Sequence, residues 1–141
     1  MKDYQAAPDL LKDRTILVTG AGDGIGREAA LAFAAHGATV VLLGKTLAKL
    51  ETVYDEIEAA GGHTPAIYPM HLEGANLHDY EELGMRLAES FERLDGILHT
   101  ESTLPYLILI KEFDPEDWMK VIQVNLNAPF FFTQACMPLL E

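Results

Sequence analysis

Residues 15–37 read TILVTGAGDGIGREAALAFAAHG, and the pattern changes twice along them. Residues 15–19 are a short apolar, β-branched run, which suits a strand buried on both faces. Gly20, Gly22, Gly24 and Gly26 then place a glycine at every second position. Residues 25–36 are alanine-rich with apolar side chains at helical spacing, and Gly37 follows as a C-terminal stop. The stretch predicts strand, glycine loop and helix in succession.

The unit repeats. Residues 39–43 (TVVLL) read as a second strand and 47–60 as a second helix, ended by Gly61-Gly62. A third strand begins over 66–68, a third helix spans 77–93, and 96–99 (GILH) form a fourth strand. Asp114-Pro115-Glu116-Asp117 reads as a helix start, with Asp114 as cap, proline at the first position and acids in the first turn, and that helix runs towards Leu140. Strands alternating with helices at this spacing predict an α/β fold, a parallel sheet covered on both faces. One domain is expected over residues 1–141, with 1–12 as an N-terminal arm.

Ten basic against 22 acidic side chains give a formal charge of −12, which repels phosphate backbones and excludes a basic patch for nucleic acid. Cys136 is the only cysteine, so no intrachain disulfide and no cysteine-rich metal site is expected. Residues 1–14 lack the apolar core of a signal peptide, from which a cytoplasmic location is expected. Residues 121–140 are uncharged and long enough for a membrane span, but Gln123, Asn125, Asn127, Thr133, Gln134 and two prolines favour a buried helix. His71, Glu73, His78 and Asp79 share one loop region without a ligand pair on a helix turn, so they are read as solvated and no metal is expected.

Between a buried strand and a helix start, backbone amides point outward with the positive end of the helix dipole, and glycines leave them open to a phosphate. A tight turn alone needs one or two glycines, not four alternating ones. The spacing is GxxxGxG; GxGxxG fails because its third glycine falls on Ile25 or Arg27, and no Gly-Lys-Ser/Thr follows for a Walker A loop.

Thr19-Gly20-Ala21-Gly22-Asp23-Gly24-Ile25-Gly26 resembles the TGxxxGxG cofactor signature of the short-chain dehydrogenase/reductase family, and the resemblance covers nearly the whole chain. It implies a Rossmann-type three-layer αβα domain with sheet order 3-2-1-4, whose loop binds the pyrophosphate of a nicotinamide dinucleotide. It implies that the cofactor is chosen at the end of the second strand, where Gly44-Lys45 offers no acid. Lys45 then points to NADP(H) over NAD(H), although Asp23 stands where many NADP-preferring relatives carry a basic residue; a solvated lysine at a helix start is the alternative. The family aspartate that helps fix the adenine is replaced here by His71-Leu72.

At the end of the fourth strand, Thr100-Glu101-Ser102 stands where the family carries Asn-Ala-Gly, and the Glu101 carboxylate is expected to lower cofactor affinity. Residues 103–110 (TLPYLILI) are unusually apolar for a surface loop, and three readings are open: a lid over an apolar substrate, an addition to the exposed edge of the fourth strand, or an aggregation-prone segment. Edge protection is the favoured one. Asn125 matches the family's catalytic asparagine, which binds a water through its carbonyl; Pro129, four residues on, lacks the amide that would engage that carbonyl. The alternative is a kink with Asn125 satisfied in the core.

The family's acid/base is a tyrosine with a lysine four residues later. None of Tyr4, Tyr54, Tyr68, Tyr80 and Tyr106 has one, and the family's serine, tyrosine and lysine are expected beyond Glu141. The resemblance therefore implies an NADP(H)-binding module of a short-chain oxidoreductase that is inactive by itself. The alternative is a non-catalytic scaffold with a degenerate cofactor site. A homo-oligomer through the 115–140 helix fits either reading.

Overall fold

The computed structural model describes residues 3–141. In chain order the elements are β1 (Thr15–Thr19), α1 (Gly24–Ala35), β2 (Thr39–Gly44), α2 (Leu47–Ala59), β3 (Ala66–Pro69), α3 (Leu77–Ser90), β4 (Gly96–Leu98), α4 (Pro115–Ile122) and α5 (Ala128–Leu140). The four strands form one parallel sheet in the order β3-β2-β1-β4, with Thr15 opposite Thr39 and Leu17 opposite both Val41 and Ile97. This is the expected Rossmann-type layering. The predicted boundaries hold to within a few residues; α3 ends three residues earlier than expected, at Ser90.

The alternation of side chains along a strand creates two cores. Val40 and Leu42 of β2 join Val18, Ala30, Ala34, Leu50, Val53 and Ile57 under α1 and α2. Val41 and Leu43 face the other way and join Leu17, Tyr80, Leu83, Leu87, Phe132 and Cys136 under α3 and α5. Because β1 and β2 are covered on both faces, their continuous apolar runs are what the fold requires.

The helix starts are fixed by short polar side chains. The Asp23 carboxylate accepts from the Gly24 amide, Asn76 and Asp79 form a reciprocal capping box, and Asp114 accepts from the Glu116 amide with Pro115 in the first turn. At the opposite end of the sheet, Asp95 joins β1 to β4: its carboxylate accepts from the Thr15 amide at 2.9 Å, from Arg14 at 2.7 Å and from Arg93. Burial would raise this carboxyl, but the Thr15 amide and the two guanidiniums outweigh it and hold it at about 2.

Two expectations change. The helix from Pro115 towards Leu140 is not uniform: residues Gln123–Asn127 form one π turn, in which the Ala128 amide reaches back five residues to the Gln123 carbonyl. Pro129 explains it, since its ring crowds the carbonyl four residues earlier and offers no hydrogen to bond, and a widened turn relieves the crowding.

Residues 103–110 do not add to the edge of β4. They form no strand, and Leu107 and Ile110 stand 96% and 95% exposed. The Asn125 side chain takes both backbone groups of Thr103, accepting from its amide at 2.9 Å and donating to its carbonyl at 2.8 Å. Those are groups a fifth strand would use, and Pro105 removes a further donor.

Candidate functional site

The glycine loop lies at the C-terminal ends of β1, β2 and β4, where an open parallel sheet leaves a crevice for ligands. Thr19, fully buried at the end of β1, sets its floor. Its hydroxyl accepts from the amides of Thr100 and Glu101 at 3.1 and 3.2 Å, while the Thr100 hydroxyl donates to the Thr19 carbonyl at 2.6 Å. The loop then folds tightly over this junction. A Cβ on Gly26 would lie 2.1 Å from the Gly20 carbonyl oxygen, and one on Gly20 would lie 2.8 Å from the Thr100 hydroxyl. Gly24 differs: its φ is +51°, and a Cβ there would have nothing within 4 Å.

The result is a cleft of about 480 Å³ opening over the start of α1, within the range of small-molecule sites. Gly20, Gly22, Asp23, Gly24, Ile25, Gly26, Gly44, Lys45 and Thr100 line it together. Thr19 supports it from beneath. Glu101 and Ser102 complete the wall beside Thr100.

Two expected positions fall elsewhere. His71 lies in a separate hollow near the β3 edge, with Tyr68, Asp79, Glu82 and Arg86, and Leu72 is buried in the core beneath α3. Neither lines the cleft. Asn125 is exposed, outside the core, and its side chain is committed to Thr103.

Sequence reading missed Lys49. Its ammonium lies 2.7 Å from the second carboxylate oxygen of Asp23, across the mouth of the cleft. The Lys49 hydrogen bond, then the Gly24 amide, hold the Asp23 carboxyl below its ordinary value. The usable signal was proximity in sequence, since Lys49 lies in the first turn of α2, four residues after Lys45, which directly follows β2.

The electrostatics are mixed. The amides at the start of α1 and the ammoniums of Lys45 and Lys49 favour an anion, whereas Asp23 and Glu101 oppose one. Lys45 makes no ion pair among the described residues, so its charge is uncommitted. Among these residues no group of three or more His, Cys, Asp or Glu side chains is placed to hold a metal ion, and no helix is long and apolar enough to cross a membrane.

Comparison with known proteins matches residues 14–141 to the family described as short chain dehydrogenase. The chain is 45% identical over 137 residues to the uncharacterized oxidoreductase YciK of Escherichia coli K12, covering 97% of this chain and 54% of that protein. A solved structure from Pseudomonas syringae superposes with a TM-score of 0.95 at 50% identity, over 99% of this chain and 56% of that one. A Shigella flexneri structure complexed with NADP superposes with a TM-score of 0.92 at 43% identity, over 95% of this chain and 56% of that one. The chain thus spans about half the length of the relatives it matches. With the signature loop, the sheet order and the family match in agreement, the chain belongs to the short chain dehydrogenase family.

Proposed function

We propose that the chain is the cofactor-binding half of a short-chain oxidoreductase and that its cleft holds NADP(H) in preference to NAD(H). The observation that carries this reading is the lining of the cleft: the amide-bearing start of α1 on one side and two lysines, with no acid at the end of β2, on the other. The residues fit the group, because the space in front of Gly24, at the start of α1, is open. The Shigella flexneri structure, complexed with NADP, supports the same cofactor.

In this reading Gly20, Gly22, Gly24, Ile25 and Gly26 receive the pyrophosphate, Asp23 fixes the start of α1, and Gly44 with Lys45 takes the adenine ribose end. Thr19 and Thr100 hold the two strand ends in register beneath the nicotinamide half. Glu101 places a like charge in the wall and lowers affinity without closing the cleft. His71 and Leu72, outside the cleft, act only through the β3 end. The bound cofactor supplies or accepts the hydride. In this reading the Asn125 carbonyl, which Pro129 has no amide hydrogen to engage, holds a water. No tyrosine here has a lysine four residues on, so the acid/base comes from outside this stretch of sequence.

Calorimetric titration at fixed moderate salt tests the reading. NADPH is expected to bind with micromolar affinity and NADH about tenfold more weakly. Binding of neither would reject it in favour of a non-catalytic scaffold.

We also propose that a second copy of the chain covers α4, the π turn and α5, along which Met119, Leu126, Phe130 and Met137 are exposed. Sedimentation velocity is expected to find a dimer that Phe130→Glu converts to monomer. A wild-type monomer at high concentration would rule the interface out.

A further inference from the structure

We propose that Lys49 is a specificity-determining residue of the cleft: its ammonium rests on Asp23 and passes to a phosphate monoester on the incoming dinucleotide, which it grips together with Lys45. This rests on the dinucleotide reading and goes beyond it by naming a second cation and its resting partner.

The root of Lys49 is fixed by packing. A Cβ on Gly22 would lie 2.9 Å from the Cβ of Lys49, so the loop passes directly against the first turn of α2 and leaves no slack at the base of the side chain. Only the flexible end is free to move. That end meets Asp23 at 2.7 Å, with the two side chains 54% and 77% exposed, and an ion pair so open to water is weakly held. Asp23 itself cannot follow the lysine, because its other oxygen caps α1 through the Gly24 amide at 2.8 Å.

Lys45, exposed and without an ion-pair partner among the described residues, precedes the Thr46 cap of α2 and lines the same cleft. Two ammoniums lining one cleft match a group of charge about −1.5 to −2, which is what a phosphate monoester carries at neutral pH. A ribose hydroxyl at the same place offers one neutral acceptor and cannot draw Lys49 off Asp23. The exchange from Asp23 to phosphate therefore favours the ligand that bears the extra phosphate.

The test compares NADPH with NADH on the intact chain. Lys49→Gln is expected to weaken NADPH about tenfold and to leave NADH within about twofold, whereas Lys49→Arg keeps the preference. Asp23→Asn retains a capping oxygen, so α1 stays anchored; it is expected to tighten NADPH more than NADH, and that extra gain disappears in Asp23→Asn/Lys49→Gln. Unchanged thermal melting of Lys49→Gln confirms that the fold is intact. Equal losses for both nucleotides, or none, in Lys49→Gln would overturn the role of Lys49 while leaving the dinucleotide reading standing. A wild-type chain that binds neither nucleotide would overturn both.

Discussion

Replacing Gly26 with alanine is expected to destabilise the chain by about 3 kcal/mol, at the upper end for an overpacked site, although only one methyl is added. That methyl would lie 2.1 Å from the Gly20 oxygen, 2.5 Å from the Thr100 hydroxyl and 2.7 Å from the Gly20 carbonyl carbon. Thr100 cannot simply turn away, because its hydroxyl is held by the Thr19 carbonyl. Gly20 cannot retreat either, since the next residue, Ala21, donates its amide to Leu43 at 3.0 Å. What remains is for α1 to lift, and α1 buries Ala30 and Ala34 against the sheet. Urea denaturation should show a lower midpoint with an unchanged slope, the sign of lost stability without lost cooperativity. A loss below about 1 kcal/mol would mean that the loop relaxes where the contacts forbid it.

How far the sequence reaches can be judged from the same residues. The strand, loop and helix around Gly20–Gly26 were legible because period, caps and glycines agree there. The strand order was not; periodicity says which segments are strands, and the family resemblance supplied β3-β2-β1-β4. The π turn was half legible, since Pro129 announces a defect but not whether the helix kinks or widens. Residues 103–110 misled, because Leu, Ile and Tyr favour strands while the Thr103 backbone is occupied by a side chain 22 positions away. Long-range side-chain bonds of this kind leave no periodic trace. Lys49 was visible as spacing, but its partner Asp23 lies 26 residues earlier, and only the packed loop brings them together.

Gly24→Asp is expected to weaken NADPH binding by at least about 100-fold, roughly 2.7 kcal/mol, while the chain stays folded. Gly24 contrasts with Gly26 in that nothing lies within 4 Å of its missing Cβ, so a side chain meets no protein atom. The structural cost is confined to a backbone at φ +51°, a left-handed conformation that costs a side-chain-bearing residue about 1–2 kcal/mol. The functional cost is larger, because the new carboxylate enters the open space before α1 and takes the positive end of the helix for itself. It then repels the pyrophosphate from the position the amides would have served. Gly24→Ala separates the two effects: it carries the same backbone strain without the charge and should lose far less affinity. Calorimetry with NADPH, paired with thermal melting, reads both quantities on each variant. If Gly24→Asp binds NADPH within about threefold of wild type, the phosphate does not sit before α1, and the glycine loop is a turn that happens to be open.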